Sequence, residues 1–472
     1  MLFNSYQFGF FLPLVFLLYW FVFNRSIKVQ NFFLLLAGYI FYGWWDWRFL
    51  FLIAFSTLFD FSIGILLEQT INNYKRKWLF ATSCVVNIGL LGFFKYFNFF
   101  IDNAMLAFEG IGYHISPISL KIILPVGISF YTFQSLSYTT DVFKRKLKPT
   151  RDFISFAAFI SFFPQLVAGP IERAYNLLPQ FHNKRVFDLN LAVKGMRQIL
   201  WGLFKKIVIA DTLGGYVDTI FSNYESLPGS TLMLGAIYFS VQIYCDFSGY
   251  SSIAIGTARL FGFKLLQNFN YPYFSTSVSQ FWRKWHISLT SWFRDYVYIP
   301  MGGSKGTLSK TLFNTVFVFS LSGFWHGANW TFIIWGLLNG IYMIPSIISK
   351  RNQQAVSLSE KSVVGFLMML CTFVLMTFTW IFFRASNLSH AIQYIKGLFS
   401  KSLLTYPIQH GMSMTIPLLV ILFLVEWLRK NEVKWAKPEN IHHTIRWSIY
   451  ILIFICCLAF FKQNQSFIYF QF

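Results

Sequence analysis

Acidic side chains are scarce in this chain: 18 Asp and Glu stand against 39 Lys and Arg, and charged residues occupy only 12% of its 472 positions. A water-soluble domain carries about a quarter. Half that proportion, with 56% hydrophobic residues and a mean hydropathy of +0.52, excludes an ordinary soluble enzyme. Repeated apolar runs approach the roughly 20 residues that cross a bilayer, so the composition predicts an all-α polytopic integral membrane protein. The five cysteines (Cys84, Cys245, Cys371, Cys456 and Cys457) lie in apolar segments without metal-type or C-x-x-C spacing. Buried free thiols are expected, and no metal site. The chain also lacks a nucleophile elbow in its strand-to-helix setting, a His pair at helical spacing, a fixed-period repeat and a low-complexity linker. Its first apolar run has neither a basic start nor a small-residue cleavage site, so it is expected to remain as a helix. The net charge of +21 invites a nucleic-acid reading. The Lys and Arg stand in short clusters between apolar segments, however, which is the pattern that orients membrane helices. The lipid bilayer, and no nucleic acid, is the partner this implies.

Residues 1–472 read as one membrane domain, with an aromatic tail, FIYFQF, at 467–472. Counting basic loops places 24–30 and 68–77 inside and the N-terminus outside. About 11 transmembrane or half-spanning helices are expected, with re-entrant and amphipathic surface helices beside them. Trp78 to Phe97 reads as a span and 99–117 as a short interfacial or re-entrant piece on the outer side. Ile122 to Tyr138 reads as a span kinked at Pro125 and Gly127. Phe153 to Pro170, broken by Pro164 and Gly169, reads as a re-entrant hairpin. In Leu189 to Val208, Lys194, Arg197, Lys205 and Lys206 interleave with Leu and Trp, the pattern of an amphipathic interfacial helix. Leu232 to Ala258 is an apolar run interrupted by Asp246 and Gly249.

Polar chemistry concentrates between Gln267 and Asn339, in FWRKWHISLTSWFRDYVYIPMGGSKG and SLSGFWHGANW. His326 ends an apolar rise, between Trp325 and a small-residue neighbourhood of Gly323, Gly327 and Ala328. A charged imidazolium is costly in hydrocarbon, so a neutral His326 is a candidate general base; the alternative is a packing histidine bonded to a neighbouring helix. Asn329 could orient its ring or bond a carbonyl. His286 lies on a cationic amphipathic helix with Arg283, Lys284 and Arg294, where it is equally a headgroup-level residue; the cations could grip the phosphates of a donor. Asp246, in QIYCDFSGYS, calls for a partner, and Arg259 or a base of the focal helix could serve. The GGSKG at Gly302 to Gly306 lacks the spacing and context of a phosphate loop and reads as a turn. Tyr469 is the phenol of the tail. It is either an interfacial anchor or a group threading into a cavity, and with a reference pKa of about 10 it needs a base to act as a nucleophile.

QIYCDFSGYS, FWRKWHISLTSWFRDYVYIPMGGS and SGFWHGANW together resemble the membrane-bound O-acyltransferase family. Further likeness lies in SFYTFQSLSYTTDVFKRK, SFFPQLVAGPIER and WIFFRA, so the resemblance covers the chain. It is greatest to the bacterial branch of alginate and peptidoglycan O-acetyltransferase membrane subunits. It implies a ring of helices around a thin centre, a cytosolic entry for the acyl donor and a cavity facing outward. The family's signature histidine falls on His326 and its second polar position on His286; Trp325, Asn329, Arg283, Lys284 and Asp246 are carried as substrate-binding candidates. FIYFQF resembles the acyl-acceptor tail of the D-alanylation system's small membrane subunit, which makes Tyr469 a candidate transient acyl carrier. The implied donor is an acyl thioester, acetyl-CoA, with no bound cofactor. The implied acceptor is an exported cell-envelope polysaccharide, reached through a periplasmic SGNH-like acetyltransferase partner, and the implied location is the bacterial inner membrane. The rival is a transporter or flippase of a lipid-linked glycan or acyl carrier, which predicts polar residues at matching places in two halves; no such symmetry is evident.

Overall fold

The computed structural model describes residues 1–113, 120–167, 169–351, 362–461 and 467–468, and these residues are helical with no strand among them. Among the described residues, five helical stretches are long and apolar enough to cross a membrane: Trp47–Gln69, Asn73–Gly110, Trp330–Ser349, Val363–Arg384 and Met412–Lys430. Tyr6–Val22, Ile27–Gly43, Phe153–Leu166 and His443–Ala459 are shorter apolar helices. Their outward side chains are themselves apolar, with Phe10 80% and Val363 78% exposed. In water such surfaces would drive association, whereas in lipid they face their own solvent.

The chain forms two compact units, Met1–Ile199 with Ile253–Leu266, and Leu200–Ser252 with Gln267–Phe472. The first buries isolated polar knots. The Asp60 carboxylate accepts hydrogen bonds from Ser83 Oγ and Asn87 Nδ2, each at 3.0 Å, and Arg185 donates to Asn31 Oδ1 at 2.7 Å. The second holds a continuous aromatic core containing Trp282, Trp285, Trp335 and Trp380.

Several segments depart from the sequence reading. The helix begun at Asn73 continues through a π-helical turn, Gly92–Tyr96, to Gly110, so 97–110 prolongs the span instead of forming a separate interfacial piece. The helix expected from Ile122 begins only at Ile128, because Gly127 adopts φ 78° and ψ 0°, a left-handed conformation that glycine takes without steric cost. The Gly229–Leu260 helix runs unbroken for 32 residues through Asp246 and Gly249; pairing of the carboxylate makes interruption unnecessary. Lys205 and Lys206 are buried, at 5% and 1% exposure, so the helix ending near them is not a simple interfacial one. Phe153–Ile160 and Phe163–Leu166 are two short buried helices separated by a break.

Candidate active site

His326 is the last residue of the Leu308–His326 helix, and Gly327 turns to extended backbone. The Trp330–Arg351 helix then returns against the first. This hairpin is tight because glycine stands where the backbones cross. A Cβ at Gly323 would run into the Phe332 carbonyl, and one at Gly336 into the Phe319 carbonyl. Asn329 opens the second helix: its Oδ1 accepts the Thr331 N–H at 3.0 Å and its Nδ2 donates to the Ser386 carbonyl at 2.8 Å. These bonds make it a capping residue that ties the hairpin to the segment after Arg384.

The His326 imidazole is 5% exposed and is walled by aromatic rings. Trp325, Trp335 and Phe383 stand with ring centroids at 5.0, 5.2 and 5.3 Å, each edge-on. Trp335 stacks on Trp380 at 5.5 Å, which lies 5.0 Å from Trp285. The cage is therefore held from behind by a further layer of indoles, an arrangement that offers many dispersion contacts and few rotamer alternatives.

His286 is supported differently. The expected single amphipathic helix is two short ones, Val278–Lys284 and Ile287–Phe293. Between them His286 sits at φ 42° and ψ 53°, a region most side chains avoid and which persists only where the surroundings fix it. Asn268 does the fixing. Its carbonyl accepts Ile287 N–H at 2.9 Å, and its side-chain Oδ1 lies 3.1 Å from His286 Nδ1 and accepts Ser288 Oγ–H at 2.9 Å. Asn268 Nδ2 is anchored on Ser251 Oγ at 3.2 Å. Burial pushes the His286 pKa down to about 3, so this ring is neutral near physiological pH.

Both histidines line one cavity of ≈ 260 Å³, whose wall also includes Trp282, Arg283, Arg294 and Ser322. Trp325 lies behind that wall, edge-on to both imidazoles, with His286 at 6.4 Å and His326 at 5.0 Å. Arg283 lies on the wall, its guanidinium donating to Ser279 Oγ at 3.1 Å. Lys284, next in sequence, is half-buried and stands outside the lining.

Asp246 takes a partner that sequence spacing did not indicate. Lys206 Nζ lies 2.7 Å from Asp246 Oδ1 and 2.8 Å from Asp211 Oδ1, all three groups being buried; neither Arg259 nor a focal cation fills that place. The other Asp246 oxygen accepts the backbone N–H of Ile468 at 2.7 Å. Phe467 packs on Tyr250 at 4.5 Å and on Phe247 at 5.9 Å. Phe247 in turn meets His286 edge-on at 4.5 Å, so the start of the tail is one ring away from a cavity histidine. Tyr469 lies outside the described residues.

Sequence reasoning missed Asn268, Lys206 and Asp211, and also Glu426, which accepts the Tyr244 hydroxyl at 2.7 Å in the same buried core. Intramembrane carboxylates and lysines are a general signal that could have found the charged ones. Nothing in the spacing distinguished Asn268 from Asn270. Among the described residues no three of His, Cys, Asp or Glu converge at a metal-binding distance. The cavity offers neutral imidazole, guanidinium and apolar walls, a set able to move a proton beside an uncharged acyl group while holding an anionic tail of its carrier.

Residues 128–389 match the family model described as MBOAT, the membrane-bound O-acyltransferase family. A probable alginate O-acetylase AlgI of Azotobacter vinelandii is 39% identical over 404 residues, covering 85% of this chain and 78% of that protein. The peptidoglycan O-acetyltransferase of Helicobacter pylori is 33% identical, with 100% and 98% of the two chains covered. At greater distance, the teichoic acid D-alanyltransferase of Bacillus subtilis is 26% identical over 56% of this chain and 70% of its own length.

Proposed function

The chain belongs to the membrane-bound O-acyltransferase family and is an integral membrane acyltransferase, and from that premise we propose that it takes an acetyl group from cytosolic acetyl-CoA and passes it toward an exported cell-envelope polysaccharide. The observation that carries this reading is the shared cavity: two buried histidines and two arginines open onto one space of ≈ 260 Å³. Arg283 and Arg294 suit the phosphates of the donor, and the apolar walls suit its uncharged arm. His326 Nε2 or Nδ1 removes the proton of the attacking hydroxyl as its oxygen bonds to the thioester carbonyl carbon. Collapse of the tetrahedral adduct breaks the C–S bond, and the imidazolium returns the proton to the departing thiolate. General-base help of this kind contributes about 10²–10⁴-fold. His286 acts beside it on the same reacting groups.

In this proposal Tyr469 is the first acceptor, and an SGNH-like transferase on the outer side of the inner membrane moves the acetyl group from its phenol ester onto the glycan. Support comes from the two tail residues before it: Phe467 and Ile468 are 1% and 4% exposed, and the Asp246 carboxylate holds the chain there. The relatives named above act on alginate and peptidoglycan, which motivates a polysaccharide as the final acceptor. The test is mass spectrometry of the C-terminal peptide after incubating the membrane-embedded protein with isotopically labelled acetyl-CoA. The expected result is a labelled acetyl on Tyr469 that is absent from Tyr469→Phe. Labelled glycan product with no protein adduct, and full activity in Tyr469→Phe, would sink the carrier role. Thioester left intact while a glycan crosses the bilayer would overturn the transferase reading in favour of transport.

A further inference from the structure

We infer that Asn268 is a positioning residue that selects the Nδ1–H tautomer of His286, so that this histidine offers the lone pair of Nε2, and no N–H, to a reacting group. The argument begins with which end of the amide is oxygen. Ser288 N–H is an obligate donor, and it points at the Asn268 side-chain atom 3.3 Å away, as does Ser288 Oγ at 2.9 Å. That atom is therefore the carbonyl oxygen, and the amide nitrogen is the one turned to Ser251. An amide oxygen has only acceptor capacity. His286 Nδ1, 3.1 Å from it, must consequently carry the proton. In a neutral imidazole the second nitrogen is then the acceptor.

Three further features keep the ring in this register. The left-handed backbone at His286 aims the side chain back over Asn268, and the Asn268 carbonyl holds the next residue's N–H at 2.9 Å. The Thr290 N–H closes on the His286 carbonyl at 3.0 Å. Phe247, edge-on at 4.5 Å, limits rotation of the imidazole plane. Moving the proton to Nε2 would bring a lone pair against the amide oxygen, and turning the ring over would set Cδ2–H there; either change forfeits the Nδ1–H bond in a buried setting, where an unmet polar group costs about 1–3 kcal/mol.

The consequence rests on the acyltransfer reading of the cavity. A neutral His286 in this tautomer cannot stabilise a developing oxyanion by donating from Nε2. It can accept a hydrogen bond, so it is an acceptor facing the nucleophile or the thiol, and the oxyanion must find its donors elsewhere.

The tautomer can be read without any acyl transfer. Full-length protein, selectively labelled with ¹⁵N-histidine and reconstituted in lipid nanodiscs, gives imidazole nitrogen signals, and the His286 pair is assigned by its loss in His286→Gln. The expected spectrum has a pyrrole-type Nδ1 and a pyridine-type Nε2. A pyrrole-type Nε2 in the wild type would overturn the inference, whatever the enzyme turns out to do. Asn268→Leu, which removes the acceptor, should mix the two tautomers. It should also lower acetyl transfer from acetyl-CoA by about 10–100-fold, the loss commonly seen when the group orienting a functional histidine is removed. Asn268→Asp keeps an oxygen at that place and should restore the Nδ1–H spectrum and most of the activity. If Asn268→Leu leaves the wild-type spectrum unchanged, Asn268 serves structure alone. If no variant and no wild type transfers acetyl while the spectra behave as expected, the functional reading fails and the positioning inference stands.

Discussion

Two residues of one type, facing one cavity, are held by opposite means. His326 ends a long helix, and rings enclose it: Trp325, Trp335 and Phe383 within 5.3 Å of its centroid, with Trp380 behind Trp335. Its position is set by shape. His286 sits between two helices of seven residues at φ 42°, and a side-chain amide from 18 positions earlier holds it. Its position is set by hydrogen bonds and backbone strain. An aromatic wall restrains where a ring lies, which suits a base that must stay beside the reacting groups through every cycle. An amide clamp restrains the tautomer itself, which suits a group whose donor or acceptor character has to stay fixed.

The comparison is broken most severely by removing the ring that is held by shape. His326→Ala is expected to reduce acetyl transfer from acetyl-CoA by about 10²–10⁴-fold, the range for losing general-base assistance. Membrane insertion and elution in detergent should stay as in the wild type, because the remaining indoles still pack on one another. Wild-type turnover in the variant would remove His326 from the mechanism.

Next in size is a change to the scaffold of the His326 cage with the cage residues themselves left in place. Gly323→Ala puts a methyl group against the Phe332 carbonyl, where helix backbones meet. Overpacking at such a crossing is expected to cost about 1–3 kcal/mol. The readout is the thermal transition of the purified protein, together with acetyl transfer below that transition. Activity should fall with stability, since displacing Phe332 displaces Phe383, 4.9 Å away, and Phe383 is one wall of the cage. A stable variant with normal turnover would show that the cage tolerates movement and that shape is not what holds His326 in place.

The difference between the two supports also explains what the sequence disclosed. The all-helical membrane architecture follows from a low charge content and apolar runs, which are properties of composition. The His326 side of the site was legible for a related reason: SGFWHGANW concentrates small and aromatic residues within a few positions, and a helix hairpin converts that proximity in sequence into a packed cage. The His286 side was not. WRKWHISLTSWF has the periodicity of one amphipathic helix, and no propensity signals that its middle residue adopts a left-handed backbone. That conformation depends on Asn268, which is remote in sequence and inconspicuous among its neighbours. Asp246 was visible as an intramembrane carboxylate, but its partner could not be chosen from spacing. Lys206 lies on a different helical segment, where its charge resembled the cationic face of a surface helix. Likewise Gly249 and Asp246 suggested an interruption because composition does not reveal that the carboxylate is neutralised. Long-range polar pairing is the part of the structure that local pattern leaves undetermined.

The smallest expected effect sharpens the account of the clamp. Ser288 reaches Asn268 Oδ1 twice, through its hydroxyl at 2.9 Å and its backbone N–H at 3.3 Å. Ser288→Ala removes only the hydroxyl. The amide oxygen keeps the Nδ1–H of His286 and the Ser288 N–H as donors, so it is not left buried and unsatisfied, and the oxygen end of the amide remains defined. The loss should therefore be that of one ordinary hydrogen bond, about 0.5–1.5 kcal/mol in stability. The His286 ¹⁵N spectrum should be unchanged and acetyl transfer should fall less than in Asn268→Leu. A collapse of the tautomer preference in Ser288→Ala would mean that the hydroxyl, and not the main-chain N–H, orients Asn268. The clamp would then depend on a side chain instead of the backbone turn at His286, and the contrast between a ring held by shape and one held by a backbone-registered amide would have to be redrawn.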